Sequence, residues 1–421
     1  MENHHNREGY KKTKLGWIPK NWSINTFDNI SYRSRKKCDF KEKSILNLPC
    51  IELEHIEQET GNINGYAFFT TQKSLKNNFQ KGDILFGKLR PYLKKFWFAK
   101  FDGACSSEIW ILRGKNDIEN MFLFYLIQSS RFINASNKTT GTKMPRADWE
   151  IVSSTLFSIP PLPEQKKIAK ILSTWDLAIE KTEKLIEEKT KLKKGLMQQL
   201  LTGKVRFREF VKKKGFKDTQ IGRVPEDWGV IKLKEKISKF IVPMRDKPKR
   251  FGGNIPWCRI EDFEGKYLFH SKSNQMVNQE IIKEWNLKIH PIGTILCSCS
   301  ANLGICAIVG QPLVTNQTFI GLLPSSQLEN EYLFYIMSFY SKRLQILSSG
   351  TTIAYLSRKK FENFKIPYPT FLEQKMIAKI LSQKDVEIIK LQHEKEILKE
   401  QKKGLMQQLL TGKTRVKIEE T

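Results

Sequence analysis

KKGLMQQLLTGK stands at Lys193–Lys204 and returns letter for letter at Lys402–Lys413. The identity belongs to a longer repeat, because PEQKKIAKILS (Pro163–Ser173) comes back as LEQKMIAKILS (Leu372–Ser382) at the same offset of 209 residues. An ungapped offset gives both copies one length, as a rigid spacer requires and as duplication alone also explains. Each copy reads as one long helix. Pro163 suits the first helical position, Glu164 the positive end of the helix dipole, and Gly203 and Gly412 the stops. Apolar residues recur by fours and threes at Ile168, Leu172, Trp175, Ile179 and Ile186, and again at Ile377, Leu381, Ile388, Leu391 and Leu398. That period is a coiled-coil seam. At roughly 1.5 Å per residue, about 40 residues make a rod of about 60 Å.

The seam has gaps. Thr182 stands where the second copy has Leu391, Ile186 where it has Lys395, and Lys189 where it has Leu398. Each helix supplies what the other lacks, so the two are expected to pair within one chain, antiparallel, about an approximate two-fold axis. Near the helix ends, Leu196, Met197, Leu200, Leu201 and their equivalents Leu405, Met406, Leu409, Leu410 are either further core or a docking face for a partner helix.

The chain has 421 residues, too many for one ordinary core, and its apolar and aromatic content is that of a folded protein. No apolar run reaches the length of a membrane span, and MENHHNREGYKKTK lacks the apolar centre of a signal peptide, so a cytoplasmic protein without membrane partners is expected. Seven cysteines without a CxxC pair fit a reducing compartment. The net charge of +28 favours a polyanionic partner, nucleic acid first. The helical stretches hold 11 basic against 6 acidic residues (Glu164–Arg206) and 10 against 6 (Glu373–Arg415), so most of the excess lies in the globular parts.

Weaker echoes link those parts. TKLGWIPKNW (Thr13–Trp22) matches TQIGRVPEDW (Thr219–Trp228), and LPCIELEHIE (Leu48–Glu57) matches IPWCRIEDFE (Ile255–Glu264). KGDILFGKLRPYLKKFWF (Lys81–Phe98) parallels PIGTILCSCSANLGICAIV (Pro291–Val309) as strand, polar turn, strand. TTGTKMPRAD (Thr139–Asp148) parallels SSGTTIAYLS (Ser348–Ser357) before each closing strand. Short strands, turns and occasional helices such as IENMFLFYLIQS predict an α+β class. The expected division is a first domain over 1–160, a helix over 161–205, a second domain over 206–370, a helix over 371–415 and a tail over 416–421.

In the first domain the turn GKLRPYLKK offers Lys88, Arg90 and Lys94 for phosphate or guanine contacts, Arg being the better two-pronged reader of guanine. TGTKMPRAD adds Lys143 and Arg146, and the run RSRKK (Arg33–Lys37) is a phosphate-binding or merely solvated stretch. The equivalent hairpin of the second domain is uncharged. It offers Ser300 and Asn302, the parallel loop offers Thr351, and TNQT offers Asn316 and Gln317, whose amides suit adenine or cap strands. Positive charge there comes from Arg245, Lys247, Arg250 and Arg259. The two domains are therefore expected to read different half-sites.

Signs of catalysis fail on inspection. TGKT (Thr411–Thr414) lacks the glycine five positions before its Gly-Lys pair, where Gln407 stands. IPPL (Ile159–Leu162) lacks the polar and aromatic residues that flank the prolines of an adenine methyltransferase signature. The six histidines show no ligand spacing, Cys297, Cys299 and Cys306 read as strand residues around a turn, and the acids of IEDFEG lack a convincing nuclease set.

The duplicated layout, with PLPEQKKIAKIL after the first domain and GLMQQLLTGK closing each helix, resembles the specificity subunit of type I restriction-modification systems over essentially the whole chain. It departs from the idealised repeat at IPYPTFLEQ, which is looser than IPPLPEQ. The resemblance implies two target recognition domains, each reading one half of a split double-stranded DNA sequence. It implies paired helices that fix their separation and hold two modification (methyltransferase) subunits, with restriction subunits in larger assemblies. It also implies that this chain carries no cofactor or metal and that S-adenosylmethionine sits on the partner. Two other readings stay open: a nuclease or modifying enzyme using Glu261 or Asp262, and a sequence-tolerant nucleic-acid-binding coiled-coil protein.

Overall fold

The computed structural model describes residues 8–38, 48–68, 76–138, 144–243, 247–300, 303–348 and 355–418. The chain divides into two compact units: unit 1 is Met1–Glu183 with Glu394–Thr421, and unit 2 is Lys184–His393. The boundaries of compactness thus fall midway along both long helices rather than at their ends.

In unit 1, a four-stranded sheet runs in the order Ser31–Ser34, Ile109–Gly114, Ile84–Gly87, Phe96–Phe98. A second has the order Ala67–Phe68, Pro49–Ile51, Gly103–Ser106, Lys76–Phe79, and its two middle strands are parallel. Strand Ile84–Gly87 is buried along its whole length, which is why the sequence reads there as an unbroken apolar run. Helices Asn120–Leu126, Ser130–Ser136 and Trp149–Ser153 complete the core. Unit 2 repeats the order with Ile237–Ile241, Phe319–Pro324, Ile295–Ser298, Cys306–Val309 and with Met276–Val277, Ile255–Cys258, Leu313–Thr315, Ile289–His290. It adds a strand, Tyr267–Leu268, and a short helix, Gln279–Glu284. The α+β class holds for both units. All seven cysteines are buried and free, and Cys297 lies directly across its strand pair from Cys306.

The long helices span Leu162–Leu201 and Phe371–Leu410. Pro163 is therefore the second helical residue, not the first; the Pro161 carbonyl closes the opening turn by accepting the amides of Glu164 (2.9 Å) and Gln165 (3.0 Å). At the far ends Gly203 and Gly412 take left-handed backbone, φ +69° and +70°. A Cβ there would sit 2.3 Å from Pro225 Cγ and 2.5 Å from Pro19 Cδ respectively, so both conformation and space demand glycine.

The helices run antiparallel in each unit. In unit 1, Asp176 meets Lys402, Glu183 meets Lys395 (3.1 Å), and Glu164 meets Arg415 (2.7 Å). In unit 2, Lys193 meets Asp385, Lys189 meets Glu387 (3.3 Å), and Arg206 meets Glu373 (2.8 Å). The lysines that interrupt the apolar seam, Lys189 and Lys395, are thus met by acids of the opposite helix, which answers the charge without an apolar complement.

The structure sets the leucines at the helix ends against the cores of their own units. Leu200 and Leu201 are buried in the core of unit 2 beside Ile377 and Leu381, and Leu409 and Leu410 in that of unit 1 beside Ile168 and Leu172. Leu196, Met197, Leu405 and Met406 pack half-buried against the same cores. An apolar face near a helix end is spent on its own domain, because the seam positions continue straight into it.

Among the described residues, no helix is long and apolar enough to cross a membrane.

Candidate nucleic-acid interface

One edge of each unit is built on the hairpin and the loop that the sequence singles out. In unit 1, the Lys88 amide donates to the Glu108 carbonyl (2.9 Å) and the Ala147 amide to the Lys88 carbonyl (2.8 Å), while Leu89 and Arg146 form a bridge. Three chain segments therefore lie side by side, and the Arg90 amide ties the hairpin tip to Pro145 (2.8 Å). Lys88, Arg90, Lys94 and Arg146 are brought together here, with Tyr92 and Met144 about half exposed among them. Arg90 and Lys94 are non-glycine residues in left-handed backbone, φ +52° and +48°, a strain that is tolerated where geometry serves a site.

Their electrostatics differ. Lys94 Nζ donates to Glu59 (2.6 Å), and Arg146 donates to Glu108 through Nε (2.9 Å) and Nη2 (3.4 Å). Lys88 and Arg90 make no side-chain hydrogen bond or ion pair among the described residues, which leaves their charge for an outside anion. Arg33, from the RSRKK run, lies over the rings of Trp149 (4.9 Å) and Trp110 (5.6 Å), and burial lowers its pKa.

Unit 2 repeats this backbone where its residues are described. The Cys299 amide donates to the Thr318 carbonyl (2.8 Å), the Leu356 amide to the Cys299 carbonyl (2.8 Å), and Ser300 bridges Tyr355. Even the turn before it matches: Ser106 Oγ accepts the Glu108 amide at 3.4 Å, and Asn316 Oδ1 accepts the Thr318 amide at 3.4 Å. Asn316 also accepts from the Thr318 hydroxyl (2.6 Å), so its oxygen is spent on the turn, whereas Gln317 is exposed. By this frame Tyr355, 45% exposed, occupies the place of Arg146, and Thr318 that of Glu108.

The described basic residues that the sequence offers in unit 2 are engaged with neighbours of their own. Arg250 pairs with Glu284 (2.7 Å), Lys247 lies over Phe251 (5.6 Å), and Arg259 donates to Gln275 with Glu261 at 3.6 Å. Asp262 accepts the amides of Arg259 (2.6 Å) and Lys272 (2.8 Å), which commits that carboxylate to the chain turn. Lys143, Arg245, Asn302 and Thr351 lie outside the described residues. Tyr92, Met144 and Tyr355 were missed from sequence, although aligning TTGTKMPRAD with SSGTTIAYLS already sets Tyr355 opposite Arg146.

Residues 22–189 and 225–399 each match the family described as the type I restriction modification DNA specificity domain. The chain belongs to that family. It is a DNA-specificity subunit rather than a catalytic one, working with DNA and with the other subunits of a restriction-modification complex. It is 30% identical to a putative type I restriction enzyme MjaX specificity subunit of Methanocaldococcus jannaschii, over 97% of each chain. It is 32% identical to the MjaVIII specificity subunit of the same organism, over 75% of each. A chain solved in work on complex assembly and conformational transition of the type I system has the same fold, with TM-score 0.58 and 20% identity, over 94% of this chain and 99% of that one.

Proposed function

We propose that each unit of this specificity subunit reads one half of a split, asymmetric double-stranded DNA target. Unit 1 reads through the edge that carries Lys88, Arg90, Tyr92 and Arg146, and unit 2 through the edge that carries Ser300, Gln317 and Tyr355. The observation that supports this reading is a single hydrogen-bonded backbone frame bearing two unlike sets of side chains. A frame with cations at its rim takes a phosphate-lined groove with a steep salt dependence, while hydroxyl, amide and phenol groups read base edges and sugars with less.

The chain acts in the cytoplasm and presents its target to two adenine methyltransferase subunits, and in larger assemblies to restriction subunits. S-adenosylmethionine binds to the methyltransferase, which also draws the adenine out of the stack. The test is methylome sequencing of a host carrying this chain with its methyltransferase partner. The expected motif is two short specified blocks around an unspecified gap. Replacing residues 206–370 by the counterpart from another family member is expected to change one block and leave the other. A single uninterrupted motif, or a swap that alters both blocks, would overturn the reading.

A further inference from the structure

The Arg146–Glu108 pair shares its edge of unit 1 with Lys94–Glu59, but its cation is a guanidinium, which has a second donor edge. The pair stands at the rim of the reading edge with 47% of the Arg146 side chain exposed, and at that exposure it contributes little to stability. Its geometry is nevertheless specific. Glu108 takes the Nε and Nη2 side of the guanidinium, at 2.9 and 3.4 Å, which leaves Nη1 and the outer hydrogen of Nη2 as a pair of donors unspent among the described residues. Both residues are carried on adjacent backbones that are pinned together through Lys88 and Leu89, so the fork is held in direction as well as in place. Unit 2 has the same backbone at this point and no such pair, because Thr318 and Tyr355 stand there. The pair is therefore dispensable for the frame and particular to one reader.

A guanidinium with one edge anchored and the other edge open is the arrangement that matches the O6 and N7 acceptors of guanine in the major groove. Arg90, in contrast, has no side-chain partner among the described residues to orient it, which suits a backbone-phosphate contact. We propose that Arg146 determines specificity in the half-site of unit 1 by pairing its open donor edge with a guanine, and that Glu108 is the positioning residue that aims it. This rests on the reading of unit 1 as a half-site reader.

The experiment expresses full-length variants with the methyltransferase partner in a host free of other adenine methylation and sequences the methylome. The block of unit 1 is the one left unchanged by replacement of residues 206–370. In the wild type that block contains a required G·C pair. Arg146→Gln is expected to relax that one position to any base, with a loss of preference of about 10- to 100-fold. Arg146→Lys keeps the charge and loses the fork, so it is expected to relax the same position while methylation elsewhere in the motif persists. Glu108→Gln is expected to weaken the preference at that position several-fold and nowhere else. An unchanged motif in both Arg146 variants overturns the proposal. So does an even fall of methylation at every position, which marks a phosphate contact, or relaxation in the block of unit 2. A wild type without a split motif overturns the half-site reading itself, a different failure.

Discussion

Unit 1 and unit 2 share more backbone than side chain, and the places where they agree differ in kind from those where they diverge. They agree where the helices enter the domains. Trp22 donates to Glu164 (2.9 Å) as Trp228 does to Glu373 (3.0 Å). Gln165 accepts the Glu119 amide as Gln374 accepts that of Glu329, both at 3.0 Å. Tyr125 donates to Asp176 (2.6 Å) as Tyr335 does to Asp385 (2.5 Å). They diverge along the edge proposed to read DNA, where Arg146 pairs with Glu108 in one and Tyr355 and Thr318 take those places in the other. The anchors that hold a helix to a domain are common to both units, and the rim is not. An architecture of this kind changes what it reads without changing how it stands.

The strongest way to break the comparison is to attack the anchors, which look alike and are not equally buried. Arg206 is 8% exposed and binds Glu373, Asp227 and the Phe210 carbonyl, whereas Arg415 is 37% exposed and binds Glu164 alone among the carboxylates described. Asn21 stands in unit 1 where unit 2 has Asp227. Glu373→Ala leaves the buried Arg206 with Asp227 as its one carboxylate and strands the buried Trp228 N–H, so a loss of about 2–4 kcal/mol is expected. Glu164→Ala leaves Arg415 free to turn to water and is expected to cost about 1–3 kcal/mol, mostly for the orphaned Trp22 N–H. Denaturant unfolding with hydrogen exchange to assign the loss to a unit checks both values. Equal costs would mean that burial does not separate the two anchors.

A second difference is titratable. Phe79 and His290 occupy the same place at the end of equivalent strands, opposite Gly103 and Leu313, and both are fully buried. His290 touches the Thr315 hydroxyl (3.0 Å), and burial pushes its pKa down to about 3. The folded unit keeps this ring neutral, while the unfolded chain takes up a proton near 6.5. Between those values the unfolded state binds more protons, so stability is constant above about 6.5 and falls as pH drops toward 3. At about 1.4 kcal/mol per pH unit, unit 2 is expected to lose about 2 kcal/mol by pH 5. In His290→Phe, the residue unit 1 uses, that slope is expected to vanish whatever the absolute stability. A slope unchanged by the substitution would place the acid sensitivity on another group.

How much of this was legible follows from the range of the interactions. The long helices announced themselves because a seam repeats every three and four residues within one stretch, and the hairpin turn because glycine, proline and clustered cations punctuate it. The Trp22–Glu164 anchor was not legible: its partners lie 142 positions apart, and neither has a local pattern that names the other. Glu164 was read as a helix-end charge when its carboxylate is fully buried and bound by an indole and a guanidinium. The end leucines were visible as apolar without any sign of which surface they cover, since periodicity fixes a face and not its neighbour. Tyr92 and Met144 were passed over because aromatic and thioether side chains read as core unless the fold places them at the rim.

The smallest test exploits an exchange of partners. In unit 1 a cation on a strand, Arg33, lies over the ring of Trp149 in the first turn of a short helix; in unit 2 the strand carries Phe240, and Arg358 of the equivalent helix lies over it at 5.8 Å. The same contact is made with the charge moved to the opposite chain segment, so the guanidinium stays at one spot while its origin changes. The environments differ. Arg33 is half-buried between two indoles, whereas Arg358 is mostly exposed over a single phenyl ring and shared with Glu362 (2.7 Å). Trp is the stronger face for a cation, and water weakens the interaction. Arg33→Met is therefore expected to lower the stability of unit 1 by about 1 kcal/mol, and Arg358→Met that of unit 2 by no more than about 0.5 kcal/mol. Urea midpoints at matched ionic strength resolve the two. If Arg358→Met costs as much as Arg33→Met, the ring beneath the cation is not what sets its contribution, and the ion pair with Glu362 takes its place in the account.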